Sequence, residues 1–562
     1  MNEYQQPFAS TGGRPSYHHG RAGRACFQPI FLRRLLPTAP LICLALLAGC
    51  AVGPDFSRPP LAPNADYSAQ PLPARSASAP IDSAGAAQRL VAGMDIPGQW
   101  WTLFRSPALD ALVQEALRAN PDIDAAQAAL RQANELLYAE QASLFPTLSA
   151  SASKTRQKGS GASALGGAGA AAGGSSGQIF TVNSASLSLS YAPDVFGGNR
   201  RQIEASGAQA DYQRFQLEAT YLALSTNVVN TAISLAALED QIAATDSLIR
   251  LQQDQLELLQ AQRSLGALGD SEVLTQQASL AQTRASLPPL RKQLAQTRNQ
   301  LQAYLGRFPS QDRGETFQLA SLHLPEELPL SLPSTLVEQR PDVRSAEAQL
   351  HQASAEIGVA IANQLPQFSI TAALGSTALA GSKLFSSGTG VWSLAGSIAQ
   401  PLFDAGALEH RKRAAVAAYE QAAARYRGTV LGAFQDVANA LRALQADAET
   451  LAQQVAAETA ARQSLELAQA QYRLGAVGYL NLLTAQQAYQ NAVLGRVRAQ
   501  AARYSDSSAL FMALGGGWWQ RQDVDPASQG HPDRFGLPSL DEMYPKRHDA
   551  PAGTTSRPAP LP

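Results

Sequence analysis

Between Gly198 and Leu265 the chain has no proline, and from Leu217 its apolar residues recur at alternating steps of four and three. The stripe reads Leu217, Tyr221, Leu224, Val228, Leu235, Leu238, Ile242, Ile249, Leu256 and Leu259, with Thr231, Thr245 and Gln252 interrupting it without shifting it. A period of 3.5 keeps one helix face apolar and winds the helix left-handedly around its neighbours. At about 1.5 Å per residue, roughly 68 residues make a helix on the order of 100 Å long, too long for an ordinary globular core. The stripe stops at Leu265-Gly266-Ala267-Leu268-Gly269-Asp270-Ser271-Glu272, and much of that turn returns as Leu474-Gly475-Ala476-Val477-Gly478-Tyr479-Leu480-Asn481.

The rest of the chain is read in order. From Ala51 to Pro97 it is rich in Pro, Ala and Ser with little periodicity, which predicts an extended tether with no core of its own. A helix is expected over Pro107 to Ala119. Asn120-Pro121-Asp122 opens a second, to about Ser143, with proline suited to the first turn and Asp122 and Asp124 placed for its dipole. Leu148, Ala150 and Ala152 then alternate with polar residues, a Gly/Ala/Ser tract fills 159–177, and Phe180, Val182, Leu187, Leu189 and Tyr191 follow. These predict two period-two strands, at about 146–158 and 178–191, joined by a flexible loop. The tract lacks a Gly-Lys-Ser/Thr ending, so it is no phosphate cradle. The long helix, about 198–265, turns and returns to about Tyr304, with an interruption expected at Pro288-Pro289.

Beyond the proline-rich segment 309–333 the pattern repeats. Arg340-Pro341-Asp342-Val343, Ala346, Leu350, Gln352, Ala353, Ala362 and Pro366 match Asn120-Pro121-Asp122-Ile123, Ala126, Leu130, Gln132, Ala133, Ala142 and Pro146 at an offset of 220. At the tips Leu265, Gly266 and Thr275 match Leu474, Gly475 and Thr484 at an offset of 209. The first copy therefore carries about eleven extra residues where its glycine-rich tract lies, and insertions collect in exposed loops. The second copy's strands, about 366–376 and 390–400, read Phe368, Ile370, Ala372, Leu374 and Trp392, Leu394, Gly396, Ile398, and its long helix spans about 405–473.

In each repeat the helix before the strands and the returning helix, stacked end to end, nearly match the long helix in length. Strands of about ten residues are long enough to cross a bilayer at a tilt. Four strands cannot close a barrel, and an open sheet edge in hydrocarbon leaves N–H and C=O groups without partners, so several chains must contribute to one barrel. A soluble coiled-coil rod with two incidental hairpins is the alternative.

Composition narrows the function. A net charge of −1 with 16% charged residues gives no signature for nucleic acid or an acidic substrate. All three cysteines, Cys26, Cys43 and Cys50, lie in the first fifty residues, and seven scattered histidines add no ligand spacing, so no metal site or disulfide framework is expected in the body. No nucleophile elbow or convergent acid pair points to an enzyme. Arg33-Arg34 precede an apolar run from Leu35 to Ala48, too short to span a bilayer but long enough for a signal-peptide core. It ends in Leu47-Ala48-Gly49-Cys50, which resembles a lipobox; that implies S-diacylglycerol and an N-acyl group on Cys50 as the mature N-terminus. A plain secretory signal with an incidental cysteine is the other reading. Ala51, where Asp is absent, directs such a lipoprotein to the outer membrane under the same resemblance. The thirty residues ahead of Arg33 read as an extended leader or a misassigned start.

Taken together, Cys50-Ala51-Val52-Gly53-Pro54-Asp55-Phe56, Trp100-Trp101 with Phe104 and Leu109, Arg340-Pro341-Asp342-Val343, the two Leu-Gly-Ala tips and Leu514-Gly515-Gly516-Gly517-Trp518-Trp519 resemble the TolC-like outer membrane factors, within them the NodT-type efflux lipoproteins. The resemblance covers about 50–520. It implies a mainly α fold with a transmembrane β-barrel: a homotrimer whose four strands per protomer close a twelve-stranded barrel above a periplasmic α-barrel of long coiled helices. The expected divisions are 1–49, leader and signal peptide; 50–106, lipid-anchored extended segment; 107–305, first repeat; 306–340, equatorial linker; 341–514, second repeat; and 515–562, a Gly/Pro-rich tail, partly disordered.

The resemblance further implies a passive export duct for small toxic compounds in a tripartite pump, with a periplasmic adaptor and an inner-membrane transporter of the RND class. It makes Leu265, Gly266, Leu474, Gly475 and Gly478 the tips that meet the adaptor, although these glycines also serve tight helix-to-helix turns. It makes Asp270 and Glu272 an acidic entrance gate, although two acids at a helix N-terminus equally serve its dipole. The matching positions in the second tip are Tyr479 and Asn481, which weakens the ring of acids. A protein-secretion duct and a non-conducting envelope tether are the competing functions.

Overall fold

The computed structural model describes residues 51–60, 67, 73–158, 179–331 and 333–521. The signal peptide, Cys50, the glycine-rich tract and the tail beyond 521 lie outside the described residues. In chain order the elements are β1 (Arg89–Ala92), α1 (Pro107–Ala119), α2 (Pro121–Gln141), β2 (Thr147–Lys158), β3 (Ile179–Tyr191), α3 (Gly198–Ser264), α4 (Asp270–Tyr304) and β4 (Glu327–Leu330). Then follow α5 (Pro333–Gln339), α6 (Pro341–Ala362), β5 (Gln367–Ala378), β6 (Gly390–Ala399), α7 (Ala407–Arg473) and α8 (Tyr479–Ala513).

Helices α3 and α7 have 67 residues each, and α4 and α8 have 35. The 3.5-period stripe of α3 is its buried face, with Leu217, Leu224, Val228, Leu235 and Leu259 all in the core. The polar residues on the stripe are buried too, and each finds a bond. Thr231 Oγ1 donates to Asn227 O at 2.7 Å, Thr245 Oγ1 to Gln241 O at 2.8 Å, and Gln252 Nε2 to Ser279 Oγ at 3.3 Å. One stretch of α3 is long and apolar enough for a membrane span, but 67% of it is buried among the other helices.

The short helices are joined end to end by equivalent residues of the two repeats. Asn120 caps α2, its Oδ1 accepting from Asp122 N at 2.8 Å, while its Nδ2 donates to Tyr304 O at the end of α4, 2.9 Å away. Arg340 opens α6, and its Nη1 donates to Ala513 O at the end of α8, also at 2.9 Å. Tyr304 and Ala513 differ by the repeat offset of 209. In both repeats a buried donor thus satisfies a C-terminal carbonyl that the helix cannot satisfy itself.

The repeats are alike in sequence but unequal in position. Helix α3 packs against α1, α2, α4, α6 and α8, whereas α7 packs against α5, α6 and α8. Leu222 of α3 is accordingly half-buried, while its equivalent in α7, Leu431, is 71% exposed.

Two expectations are corrected and a third is sharpened. The segment after Ala51 is no tether: β1 pairs in parallel with β4, Arg89 opposite Glu327, and Ile96, Trp100 and Phe104 enter the main core, where Trp100 stacks on Phe511 at 5.4 Å. The chain from Ser76 to Ala86 wraps the buried Arg503, whose guanidinium donates to the carbonyls of Ala84 and Ala86 and to Ser76 Oγ. Composition hid this, because the contacts are made by backbone carbonyls of small residues. Helix α4 runs through Pro288 and Pro289 unbroken. Both prolines and Arg284 and Ala285 are exposed, so the carbonyls of residues 284 and 285, which lose their partners, can bond to water. Finally, residues 515–521 are folded. Gly515, Gly516 and Gly517 all have positive φ, turning Trp518 so that its Nε1 donates to Gln339 O at 2.5 Å and its ring meets Phe215 edge-on at 5.8 Å. Arg521 and Glu218 form a buried pair at 3.0 Å, with the guanidinium 3.8 Å above the Tyr221 ring.

The second sheet has the order β2-β3-β5-β6, antiparallel throughout. One face carries the rungs Leu148–Leu189–Ala372–Leu394 and Ala150–Leu187–Leu374–Trp392. The other carries hydroxyls, with Ser151–Ser186 at 3.0 Å, Ser153–Ser184 at 2.8 Å and Ser369–Ser397 at 2.7 Å bonded across strands. Phe180 and Val182 fall on the hydroxyl face, opposite to Leu187 and Leu189.

Candidate functional site

The two hairpin tips close in the same way. After α3, Gly266 has φ +73°; its N–H donates to Arg263 O at 2.9 Å and that of Ala267 to Gln262 O at 2.9 Å. After α7, Gly475 has φ +73°, and the bonds are Gly475 to Tyr472 O at 3.0 Å and Ala476 to Gln471 O at 2.9 Å. These paired bonds use up carbonyls at each helix end, and the left-handed residue between them favours glycine. Gly478 differs: as the cap of α8 it has φ −74° and ψ 160°, a conformation open to any residue, and a Cβ there would meet nothing within 4 Å. The fold therefore explains Gly266 and Gly475 but not Gly478. Leu265 and Leu474 project outward, 83% and 84% exposed.

Within the chain the two tips are fastened side by side. Leu259, Val273, Leu465, Tyr479, Leu482 and Leu483 form a separate apolar cluster there. The Tyr479 hydroxyl bonds Gln276 Oε1, and Gln276 Nε2 donates to Gln252 O at 2.6 Å, linking α8, α4 and α3. Burial raises the Tyr479 pKa, so its hydroxyl stays a donor.

Asp270 and Tyr479 are repeat equivalents, and so are Arg263 and Tyr472, yet the pairs differ chemically. Arg263 Nε and Asp270 Oδ1 form an ion pair at 2.5 Å across the first tip. Across the second, Tyr472 and Tyr479 meet edge-on at 5.8 Å. Of the two acids in the first tip, Asp270 is thus countered by an arginine. Glu272 accepts from Ser271 Oγ at 2.8 Å, a bond that lowers its pKa and keeps it ionised. Sequence reasoning passed over Tyr472, Gln252 and Gln276 as tip residues; the 209 offset applied to Arg263 would have found the first.

At the other end of α3, the residues following Cys50 dock where strands give way to helices. Val52 N donates to Phe196 O at 3.0 Å, and the buried Arg201 holds Val52 O at 3.0 Å and Asp55 Oδ1 at 2.7 Å. Gly53 passes so close to α6 that a Cβ on it would lie 2.5 Å from Gly358 Cα. Phe56 stacks on His351 at 4.5 Å.

The profile of the outer membrane efflux protein family matches residues 112–307 and 332–516. The pyoverdine export outer membrane protein OpmQ of Pseudomonas putida is 31% identical over 427 residues, which cover 75% of this chain and 89% of that one. A probable outer membrane lipoprotein of Salmonella typhimurium, SilC, is 28% identical over 84% of this chain and 97% of its own. Among solved structures, the outer-membrane channel OprN superposes with a TM-score of 0.74 at 28% identity, covering 84% of this chain and all of that one.

Proposed function

This chain belongs to the outer membrane efflux protein family, and from that premise we propose that three copies close one twelve-stranded barrel continued below by their helices as a duct. The chain is the outer-membrane channel component of an efflux pump, as its relatives are. The observation that carries the shared-barrel reading is the four-stranded sheet, with one apolar face, one hydroxyl face and both edges, β2 and β6, left open; the count of three comes from the resemblance drawn from sequence. In hydrocarbon each unpaired backbone group costs several kcal/mol, so the edges must be closed by strands of other copies. Strands of 12, 13, 12 and 10 residues meet the roughly 9–11 needed to cross at a tilt. The bare outer side of α7 supports the same arrangement, since a neighbour's α2 and α4 would cover it as α2 and α4 cover α3 in this chain.

The hydroxyl face would line the lumen. An uncharged wall hydrates a passing solute without selecting it, which suits a passive duct for small toxic compounds. The tips at Leu265, Gly266, Leu474, Gly475 and Gly478 would meet a periplasmic adaptor that couples the duct to an inner-membrane transporter, of the RND class by the resemblance drawn from sequence. Lipidation of Cys50 would attach acyl chains just ahead, in sequence, of the docked Val52–Phe56 segment. Purified protein in planar bilayers tests the channel: stepwise conductance is expected, and a complete absence of conductance would leave an envelope tether.

A further inference from the structure

The apolar face of β2 does not end in a polar loop but in cations. Leu148, Ala150 and Ala152 share one face with Lys154, Arg156 and Lys158, all three exposed and without an ion pair among the described residues. The spans 147–193 and 367–403, which hold all four strands and both outer connections, contain Lys154, Arg156, Lys158 and Lys383 and no Asp or Glu. No strand or connection that closes the barrel, in this chain or a copy of it, can therefore neutralise the row. The chain's 45 acids all lie elsewhere, although its net charge is only −1.

Height places the row at a boundary. Counted from Leu148 at about 3.4 Å per residue and a tilt of about 40°, Lys158 stands roughly 26 Å up, at the edge of an apolar band about 25 Å tall, and Arg156 and Lys154, roughly 21 and 15 Å up, reach toward that edge along their flexible stems. The β5–β6 connection folds onto the same outward face: Ser376 Oγ bonds Leu384 O, and Asn183 Nδ2 donates to the carbonyls of Ala378 and Leu379 at 3.3 Å. That fold leaves Leu379 and Phe385, 70% and 81% exposed, beside the exposed Lys383. Apolar and aromatic side chains with cations just above them match the edge of an apolar slab bearing anionic head groups.

We propose that Lys154, Arg156 and Lys158 form an outward-facing binding site for the phosphate groups of lipids in the outer leaflet. The assignment rests on the barrel reading above, because only a membrane-embedded sheet brings the row to that leaflet. Full-length protein extracted in detergent is titrated with a bisphosphorylated disaccharide lipid, its dephosphorylated form and inorganic phosphate, with bound lipid counted by native mass spectrometry. The bisphosphorylated lipid is expected to bind. A variant carrying Lys154→Gln, Arg156→Gln and Lys158→Gln should lose about fivefold per charge, about a hundredfold in all. Lys154→Arg with Lys158→Arg should bind like the parent. Equal binding of both lipids, equal binding by the Gln variant, or competition by inorganic phosphate at equal concentration would overturn the assignment. Bilayer conductance of the same preparations separates the two readings: a parent protein that conducts but ignores lipid phosphates refutes only the site, and one that never conducts refutes the barrel.

Discussion

Gly478→Asp separates docking at the tips from folding of the tips. Gly478 caps α8 in extended backbone, and a Cβ meets nothing within 4 Å, so aspartate fits without strain. A carboxylate at that position can accept from the first N–H groups of α8 and face the positive end of its dipole, together stabilising the helix by about 0.5–1 kcal/mol. At Gly475, where φ is +73°, a non-glycine residue costs about 1–2 kcal/mol, so a defect there mixes strain with docking. In a packed adaptor interface the carboxylate oxygen that does not cap α8 would lose its water unpaired, at about 3 kcal/mol, or about a hundredfold in affinity per tip. The assay complements a deletion strain and records survival against dyes, detergents and antibiotics, with thermal unfolding and oligomer yield measured on the same protein. The expected result is unchanged or raised thermal stability and survival near that of the deletion strain. Full efflux by Gly478→Asp at normal abundance would refute tight docking at this tip.

Removing Arg521 or Glu218 singly should destabilise the folded chain by about 3 kcal/mol, because each loses its ion-pair partner in a buried site; thermal unfolding of Arg521→Ala and Glu218→Ala checks this. Burial and the neighbouring Asp506 carboxyl push Asp447 up to about 7. Between about pH 4 and 7 the folded state therefore holds a proton that the unfolded state has released, and stability falls as pH rises through that window. Asp447→Asn should flatten the fall, read from melting temperatures at pH 5 and pH 8. At the entrance, Glu272→Gln should reduce cation preference in single-channel recordings more than Asp270→Asn, since Arg263 already offsets Asp270; unchanged selectivity in the double variant would remove both from the gate.

How much was legible depended on whether a signal repeated. The long helices were visible because a 3.5-residue stripe persists for many turns, and their stops because a positive φ demands glycine at Gly266 and again at Gly475. The strands showed as period-two alternation, although Phe180 and Val182 change face relative to Leu187, which no local pattern reveals. What stayed hidden was packing between distant segments. The wrap of Ser76 to Ala86 around Arg503 uses backbone carbonyls, which carry no sequence signature, and the Trp518 anchor depends on three consecutive glycine conformations. Pro288 and Pro289 misled because an exposed helix can hydrate the carbonyls that proline leaves unpaired. At the tips, the acids were found but their surroundings were not: the arginine facing Asp270 and the Tyr479–Gln276 bond come from neighbouring helices.

The central claim is that four strands with two open edges exist only as part of a shared barrel. Native mass spectrometry of the protein released from outer membranes in mild detergent tests it most directly. The account predicts a complex of three chains, twelve strands in all, with no stable monomer in the membrane extract. A membrane-inserted species of one or two chains would contradict it.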